Sequence, residues 1–206
     1  MKILHKNSTT FFIKFIFIGL FISLFASLSS CSTISGDSDA LGGTRFYSLS
    51  ALPPNSNNQS SLKIGVGPIE IPRLLNRPQI ISRKNETEIQ MSESHQWGGS
   101  FKEELIQSLS DNLSSLLKTD NIEQYPWKFS FKPNYQIRIN IERFDGQVGK
   151  NIVLKARWRL IKNNKEILVK RSVISTPVLG NNYAAYVTAQ SNALIKLSKK
   201  ISKQIK

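Results

Sequence analysis

Few residues of this 206-residue chain have reactive side chains, because it contains one cysteine and two histidines. Cys31 follows a long apolar run within "SLSSCSTIS", and His95 stands in "SESHQW" next to Ser92, Glu93 and Ser94. A serine, a histidine and a carboxylate can form a hydrolytic triad, whereas a lone thiol serves as core filler, nucleophile or modification site. These two positions are the candidates for chemistry, and the segments around them decide between the alternatives.

The segment before Cys31 has the layout of an export signal. Lys2, Lys6 and Lys14 form a basic start without any acid, and residues 15–28 are mostly phenylalanine, isoleucine and leucine. A transmembrane helix needs about 20 apolar residues. Lys14 interrupts this run on one side and serines end it on the other, so the pattern favours a signal peptide over residues 1–30.

The end of this leader, Leu28, Ser29, Ser30 and Cys31, resembles a bacterial lipobox. The resemblance implies that Cys31 becomes the mature N-terminus and carries diacylglycerol and a further acyl chain such as palmitate. Several chains are needed because a single one anchors a protein only marginally. Ser32 is not the aspartate that commonly retains lipoproteins at the inner membrane. The resemblance therefore implies the periplasmic face of an outer membrane.

The sequence around His95 favours a role other than catalysis for this residue. Once residues 1–30 are removed it is the only histidine, so a two-histidine metal site cannot form within one chain. The "GVG" at residues 65–67 lacks the third glycine of a dinucleotide-binding turn and leads into Pro68. We predict a protein that is not an enzyme and needs neither metal nor cofactor. The alternative is an envelope hydrolase or glycan-binding lipoprotein that uses His95 and its neighbours.

The net charge indicates an anionic partner. The chain has 28 lysines and arginines and 14 acids, a net charge of +14, and loss of the three leader lysines leaves +11. Nucleic acid, an anionic membrane surface and an acidic protein all fit such a balance. Export as a lipoprotein argues against nucleic acid. The lysine-rich "LSKKISKQIK" at the C-terminus is typical of the solvated face of a helix.

After a small, polar tether (residues 31–44), a single domain is predicted over residues 45–206. Alternating or apolar runs predict strands at 45–52, 62–72, 134–146, 152–164 and 166–178, and a hairpin of strands within 78–93. The turn "KNNKE" at residues 162–166 is predicted to join the last two strands. These segments predict a sheet with one face buried.

Two amphipathic helices are predicted to cover that sheet. Leucines spaced by three and four residues follow Phe101, and Ser100 with Glu103 fits a capping box, so the first helix is expected over residues 100–118. The second is expected over residues 183–201, opened by Asn181 or Asn182. Strands combined with two long helices predict an α/β domain in which a mixed sheet is covered by both helices.

Several segments, in this order, resemble the PqiC/YmbA family of ABC-type transport auxiliary lipoproteins. They are "GVGPIEIPRLLNRPQIISR", "WGGSFKEELIQSLSDNLSSLL", "YPW", "IERFDG", "LKARWRL" and "NNYAAYVTAQSNALIKLSKKI", which cover most of residues 46–201. The resemblance implies a three-layer α/β sandwich similar to the N-terminal domain of TolB. It also implies an outer-membrane lipoprotein that assists an MCE-type, PqiB-like or ABC-transporter-linked system in passing phospholipid between membranes. A homo-oligomeric ring around the tip of the MCE conduit is a further expectation.

Two sets of side chains have alternative interpretations. Arg73 and Arg77 lie between prolines on a predicted loop, where they can dock an acidic partner or where Arg77 can tie the loop to the sheet. The three tryptophans can form a lipid or glycan platform, or they can pack in the core with their indole N–H groups bonded, which is the commoner role.

Overall fold

Eight strands and two helices form the part of the chain, residues 43–57 and 59–205, that this computed structural model describes. The predicted signal peptide and Cys31 lie outside it, and of the tether only Gly43 and Thr44 are included. The elements are β1 (Arg45–Tyr47), β2 (Ile64–Glu70), β3 (Gln79–Arg83), β4 (Ile89–Trp97), α1 (Phe101–Leu117), β5 (Ile122–Gln124), β6 (Tyr135–Gly146), β7 (Asn151–Lys162), β8 (Lys165–Pro177) and α2 (Tyr183–Ser202).

The larger sheet has five strands in the order β5-β2-β6-β7-β8. β2 runs parallel to both β5 and β6, whereas β6, β7 and β8 form an antiparallel meander. Asn163 and Asn164 form the two-residue turn between β7 and β8, and both have positive φ angles, 49° and 62°. A turn with positive φ at both residues has the same backbone twist as the strands that it joins. The predicted turn is therefore confirmed.

The smaller sheet has three strands in the order β1-β4-β3, with β1 parallel and β3 antiparallel to β4. The predicted hairpin between β3 and β4 is confirmed. In its turn, Asn85 Oδ1 accepts hydrogen bonds from the backbone N–H groups of Thr87 and Glu88. The strands therefore form two mixed sheets where the sequence predicted one, because alternation within a strand does not reveal which strands are neighbours.

Helix α1 buries four residues of the predicted stripe, and the fifth, Leu116, is half-buried; the buried four are Phe101, Leu105, Leu109 and Leu113. The predicted capping box is wrong, because the side chain of Ser100 makes no cap hydrogen bond. Glu104, one residue further along, contacts an earlier part of the chain instead. Its Oε2 accepts hydrogen bonds from Ser48 Oγ at 2.6 Å and from the backbone N–H of Leu49 at 3.1 Å. The start of the helix is thus tied to the segment after β1.

Helix α2 begins as predicted after Asn182, whose Oδ1 accepts the backbone N–H of Ala185 at 2.9 Å. It ends one residue later than predicted. The expected apolar stripe is buried: Tyr186, Val187, Leu194, Leu197 and Ile201. Neither helix of the described residues is long and apolar enough to span a bilayer.

The helices cover one face of the five-stranded sheet. On β6, Ile137, Ile139 and Ile141 are buried, whereas Arg138 and Asn140 between them are exposed. The buried side chains of both sheets and both helices form one core from Leu49 to Ile205, and residues 43–206 make one compact unit. The observed α/β architecture confirms the predicted sandwich class.

Tyr186 of α2 connects the two sheets through its hydroxyl group. The side chain is fully buried, and Oη donates to the carbonyl of Ile81 on β3 at 2.8 Å. It also accepts the backbone N–H of Gly146 on β6 at 3.0 Å. Burial raises the pKa of this phenol above its ordinary value. The hydroxyl thus stays neutral and can donate and accept at the same time.

We expect Tyr186→Phe to lower the free energy of unfolding by about 1–3 kcal/mol, because it leaves buried backbone groups on both sheets without their partner. Chemical denaturation measures the change. Tyr125→Phe is the matched control, since the Tyr125 side chain is 52% exposed, and it should change stability by less than about 0.5 kcal/mol. Equal stability of the two variants would contradict the role of the hydroxyl.

Candidate functional site

The predicted docking loop, residues 72–78, connects β2 of the larger sheet with β3 of the smaller one. The carbonyl of Pro72 accepts the N–H of Leu75 at 2.9 Å, and that of Arg73 accepts the N–H of Asn76 at 3.2 Å. Leu75 is 5% exposed and belongs to the core. The loop backbone is therefore fixed by its own turns and by one buried side chain.

The structure places the two arginines of the docking loop in different environments. Arg73 is exposed, and its guanidinium group makes no hydrogen bond or ion pair with any described residue. Arg77 is half-buried, and its Nη1 donates to Met91 Sδ on β4 at 2.7 Å. Its Nε is buried without a partner among the described residues. Arg73 is thus free to contact another molecule, whereas Arg77 already touches the smaller sheet.

His95 lies where β1, β4 and α2 meet. Its Nδ1 is 2.9 Å from Ser92 Oγ and 3.2 Å from Ser94 Oγ, and its ring stacks on Tyr183 with centroids 4.1 Å apart. Burial, and secondarily the positive charge of Arg45, lower the pKa of the imidazole. Within the described part of the chain, no hydrogen bond joins Glu93 to His95. Both serines meet the same ring nitrogen, so the cluster lacks the acid–histidine–serine order of a triad.

We expect His95→Ala to reduce the dependence of stability on acidity. Since the pKa is lowered in the folded state, the unfolded state binds more protons below pH about 6.5. The contribution of His95 to the stability of the folded state is therefore present above pH about 6.5 and is lost as the pH falls. Urea denaturation between about pH 5 and 7 measures this slope, with Ser94→Ala as the non-titrating control. An unchanged slope in His95→Ala would contradict the assignment.

The tryptophans pack inside the protein and do not form a shared platform. Trp97 is 4% and Trp158 1% exposed, and Trp158 Nε1 donates to Ser172 Oγ at 3.1 Å. Trp127 is half-buried and lies against Gly65 of β2, where an added Cβ atom would come within 2.7 Å of its ring. Close packing against this indole accounts for the first glycine of "GVG", which lies inside a strand.

A buried ionic cluster between β3 and β6 was not predicted. Asp145 Oδ1 of β6 accepts Arg83 Nε at 2.7 Å and Arg143 Nε at 2.6 Å, and the aspartate is 3% exposed. The hydrogen bond to Asp145 raises the pKa of Arg83. Arg83 belongs to β3, so the cluster joins the two sheets. Arg83 and Asp145 are 62 positions apart, and no local sequence pattern connects them.

The uncovered face of the larger sheet carries a shallow groove of about 580 Å³. Its charges are largely compensated within the sheet. Arg159 Nη1 is 2.6 Å from Glu166 Oε2, and Glu142 accepts Arg171 Nε at 2.9 Å. Arg157 Nε lies 3.7 Å from the same glutamate. Surface pairs of this kind contribute about 0–1 kcal/mol each, so they position the side chains more than they stabilise the fold.

Comparisons with known proteins agree with this architecture. A family model described as "ABC-type transport auxiliary lipoprotein component" matches residues 47–202. No curated protein matches the sequence. Among solved structures, an uncharacterized protein has a TM-score of 0.67 at 15% identity, over 80% of this chain and 99% of that one. A Xanthomonas campestris protein of family DUF330 has a TM-score of 0.63 at 18% identity, and the match covers 77% of this chain and 93% of that one. At these identities the likeness shows a shared fold.

Proposed function

The chain belongs to the family of ABC-type transport auxiliary lipoproteins, and from this we propose that it is an outer-membrane docking component of an MCE-type phospholipid transport system. The observation that carries the proposal is the family match over residues 47–202, together with a lipobox-like cysteine after a basic and apolar leader. The family is one of transport accessories and not of enzymes. In the alternative, a hydrolase or glycan binder, His95 would have to act, but its Nδ1 meets two serines and no carboxylate among the described residues.

The proposed anchor is an acylated Cys31, with the domain held at the periplasmic face of the outer membrane. Attachment through acyl chains leaves a globular domain in the aqueous phase while keeping it at the bilayer. A docking component needs this arrangement, because one end must stay at the membrane while the other remains accessible to a protein that reaches across the periplasm. Ser32 after the cysteine supports the outer membrane as the destination.

The docking loop is the proposed contact with the MCE protein. Arg73 offers an exposed guanidinium group on a fixed backbone. Arg77 offers a second one, whose present acceptor, the Met91 thioether, is weak. A partner carboxylate is a much stronger acceptor for either group and binds arginine in a defined geometry. An acidic segment of the MCE protein would therefore gain charge-assisted hydrogen bonds with little loss inside this domain.

We expect the double substitution Arg73→Ala and Arg77→Ala to weaken co-purification of the MCE protein about tenfold or more, since each charge-assisted bond contributes about 1.5–3 kcal/mol. A quantitative pull-down from solubilised envelopes measures the effect. Arg138→Ala is the control, because Arg138 is also an exposed arginine but lies on the open face of the sheet. Unchanged recovery of the MCE protein with the double variant would remove the loop from the interface.

We further propose that several copies form a ring around the tip of the MCE conduit. A ring needs head-to-tail contacts between two different surfaces of each copy. β5 and β8 are the terminal strands of the five-stranded sheet and lie at its opposite edges. The domain thus offers two distinct edges, as such contacts require.

A further inference from the structure

Positive charge is concentrated in the second half of the domain. Residues 138–206 contain 15 lysines and arginines against three acids, whereas residues 43–137 contain ten against nine. The basic excess thus lies in the shorter of the two segments, so it reflects where the charges are placed and not segment length. The excess of positive charge lies on β7, β8, helix α2 and most of β6.

The structure gathers part of this charge along one side of the domain. A shallow groove of about 440 Å³ runs between the edge of β8 and the outer face of α2. We name it the lysine groove and define it by Val173, Ser175, Lys196, Lys199, Lys200 and Lys203. Lys170 on β8 extends it, because its Nζ donates to Gln204 Oε1 at 3.0 Å just beyond the end of α2.

No carboxylate among residues 43–57 and 59–205 compensates the charges of the lysine groove. Lys196 Nζ donates to the neutral hydroxyl of Thr176 at 3.1 Å, and none of the groove lysines forms an ion pair with the residues described. This contrasts with the open face of the sheet, where Glu142 and Glu166 neutralise neighbouring arginines. Lysines three and four residues apart on one helix face also repel each other. The free domain therefore carries a repulsion that an anionic surface would relieve.

Helix capping explains only part of this arrangement. Lys199 and Lys200 lie in the last turn of α2, where positive charge interacts favourably with the helix dipole. Lys196 lies before that turn, and Lys170 belongs to a strand. Neither position gains from the dipole. Their alignment with the other lysines along a single groove needs another reason.

We propose that the lysine groove is a membrane-contact face that binds the anionic headgroups of a phospholipid bilayer. Lysine is a compact point charge without the planar fork that selects a carboxylate, so a row of lysines suits a fluid array of phosphates better than one defined protein site. Val173 and Val169 of the same edge strand are 61% and 47% exposed and offer apolar contact beside the charges. Lysines near an anionic surface act together, each adding to the attraction.

The place of the lysine groove in the fold is compatible with the proposed anchor at Cys31. The role of the groove in the cell rests on that anchor, because the anchor keeps the domain at a membrane. β1 follows the tether, and its Arg45 pairs with His95, which stacks on Tyr183 at the first turn of α2. The lysine groove begins about 20 Å further along this helix, at 1.5 Å per residue. Residues 32–44 reach about 45 Å when fully extended. The tether is therefore long enough to let the groove rest on the bilayer that holds Cys31.

The test uses residues 43–206, which contain the complete core and lack Cys31, so that its outcome is independent of acylation. Binding is measured by co-sedimentation with phosphatidylcholine vesicles, with and without phosphatidylglycerol. One variant replaces Lys196, Lys199, Lys200 and Lys203 by glutamine. The control replaces four other exposed lysines by glutamine, namely Lys63, Lys102, Lys128 and Lys132. The two variants have the same net charge, and circular dichroism verifies that both are folded.

We expect the wild-type fragment to bind only vesicles with phosphatidylglycerol, more weakly as salt is raised. The groove variant should lose binding about tenfold or more, and the control variant should keep most of it. Equal losses in both variants would show that net charge alone matters, which overturns the proposal. Absence of wild-type binding, or equal binding to neutral vesicles, also overturns it. None of these results would affect the proposed anchor, which Cys31 variants test separately.

Discussion

Replacing Cys31 with alanine is expected to abolish incorporation of labelled palmitate into the protein and to leave residues 1–30 attached. The thiol is the only sulfhydryl group in the chain and the proposed site of the diacylglycerol. Alanine has no atom that can carry it. Because burial of hydrocarbon contributes about 0.8 kcal/mol per methylene group, loss of several acyl chains is a loss of essentially all anchoring energy that they supply. Intact mass spectrometry measures both the modification and the leader.

Ser30→Ala is the control for this substitution. It alters the residue next to the proposed cleavage site but keeps a small side chain there, so labelling and leader removal should persist. The wild-type chain provides the opposite check. If its mass corresponds to an unmodified thiol with residues 1–30 still present, the anchor is wrong. The outer-membrane location would then lose its basis, while the fold and the family membership would stand.

The regular elements of this fold follow from local patterns. The spacing of Phe101, Leu105 and Leu109 indicates a helix whatever it packs against, because burial of one helix face depends on a period of 3.6 residues. The Asn163–Asn164 turn is likewise local, since two residues with positive φ angles suffice to define a tight hairpin. Both features were predicted correctly. β5 was missed, because a strand of three residues is too short to show a period.

Features that depend on distant residues could not be predicted in this way. The division of the strands into two sheets depends on pairing, which alternation does not encode. Ser100 and Glu103 have the spacing of a capping box, yet Ser48, 56 positions before Glu104, determines how this helix start is bonded. Likewise, the setting of His95 depends on Tyr183 of α2. The exposed lysines of α2 were predicted, but their alignment with β8 needed the tertiary structure.

Two carboxylates of β6 show how burial determines the value of an ion pair. Asp145 and Glu142 each form ion pairs with two arginines. The side chain of Asp145 is 4% exposed and that of Glu142 25%. Removal of one partner from a buried pair leaves an uncompensated charge and costs about 3–5 kcal/mol. At the surface, water replaces the lost partner, and the cost is about 0–1 kcal/mol.

We therefore expect Asp145→Ala to lower the free energy of unfolding by about 3 kcal/mol, the lower end of the range for buried pairs. The lower end applies because the side chains of Arg83 and Arg143 are 16% and 28% exposed and can turn partly toward water. Glu142→Ala, the matched control, should cost less than about 1 kcal/mol. Urea denaturation of both variants measures the difference. Since typical domains are stable by only about 5–15 kcal/mol, a loss of this size is readily detected. Equal losses would mean that the Asp145 cluster does not hold β3 against β6, and the two sheets would then be joined mainly by Tyr186 and the apolar core.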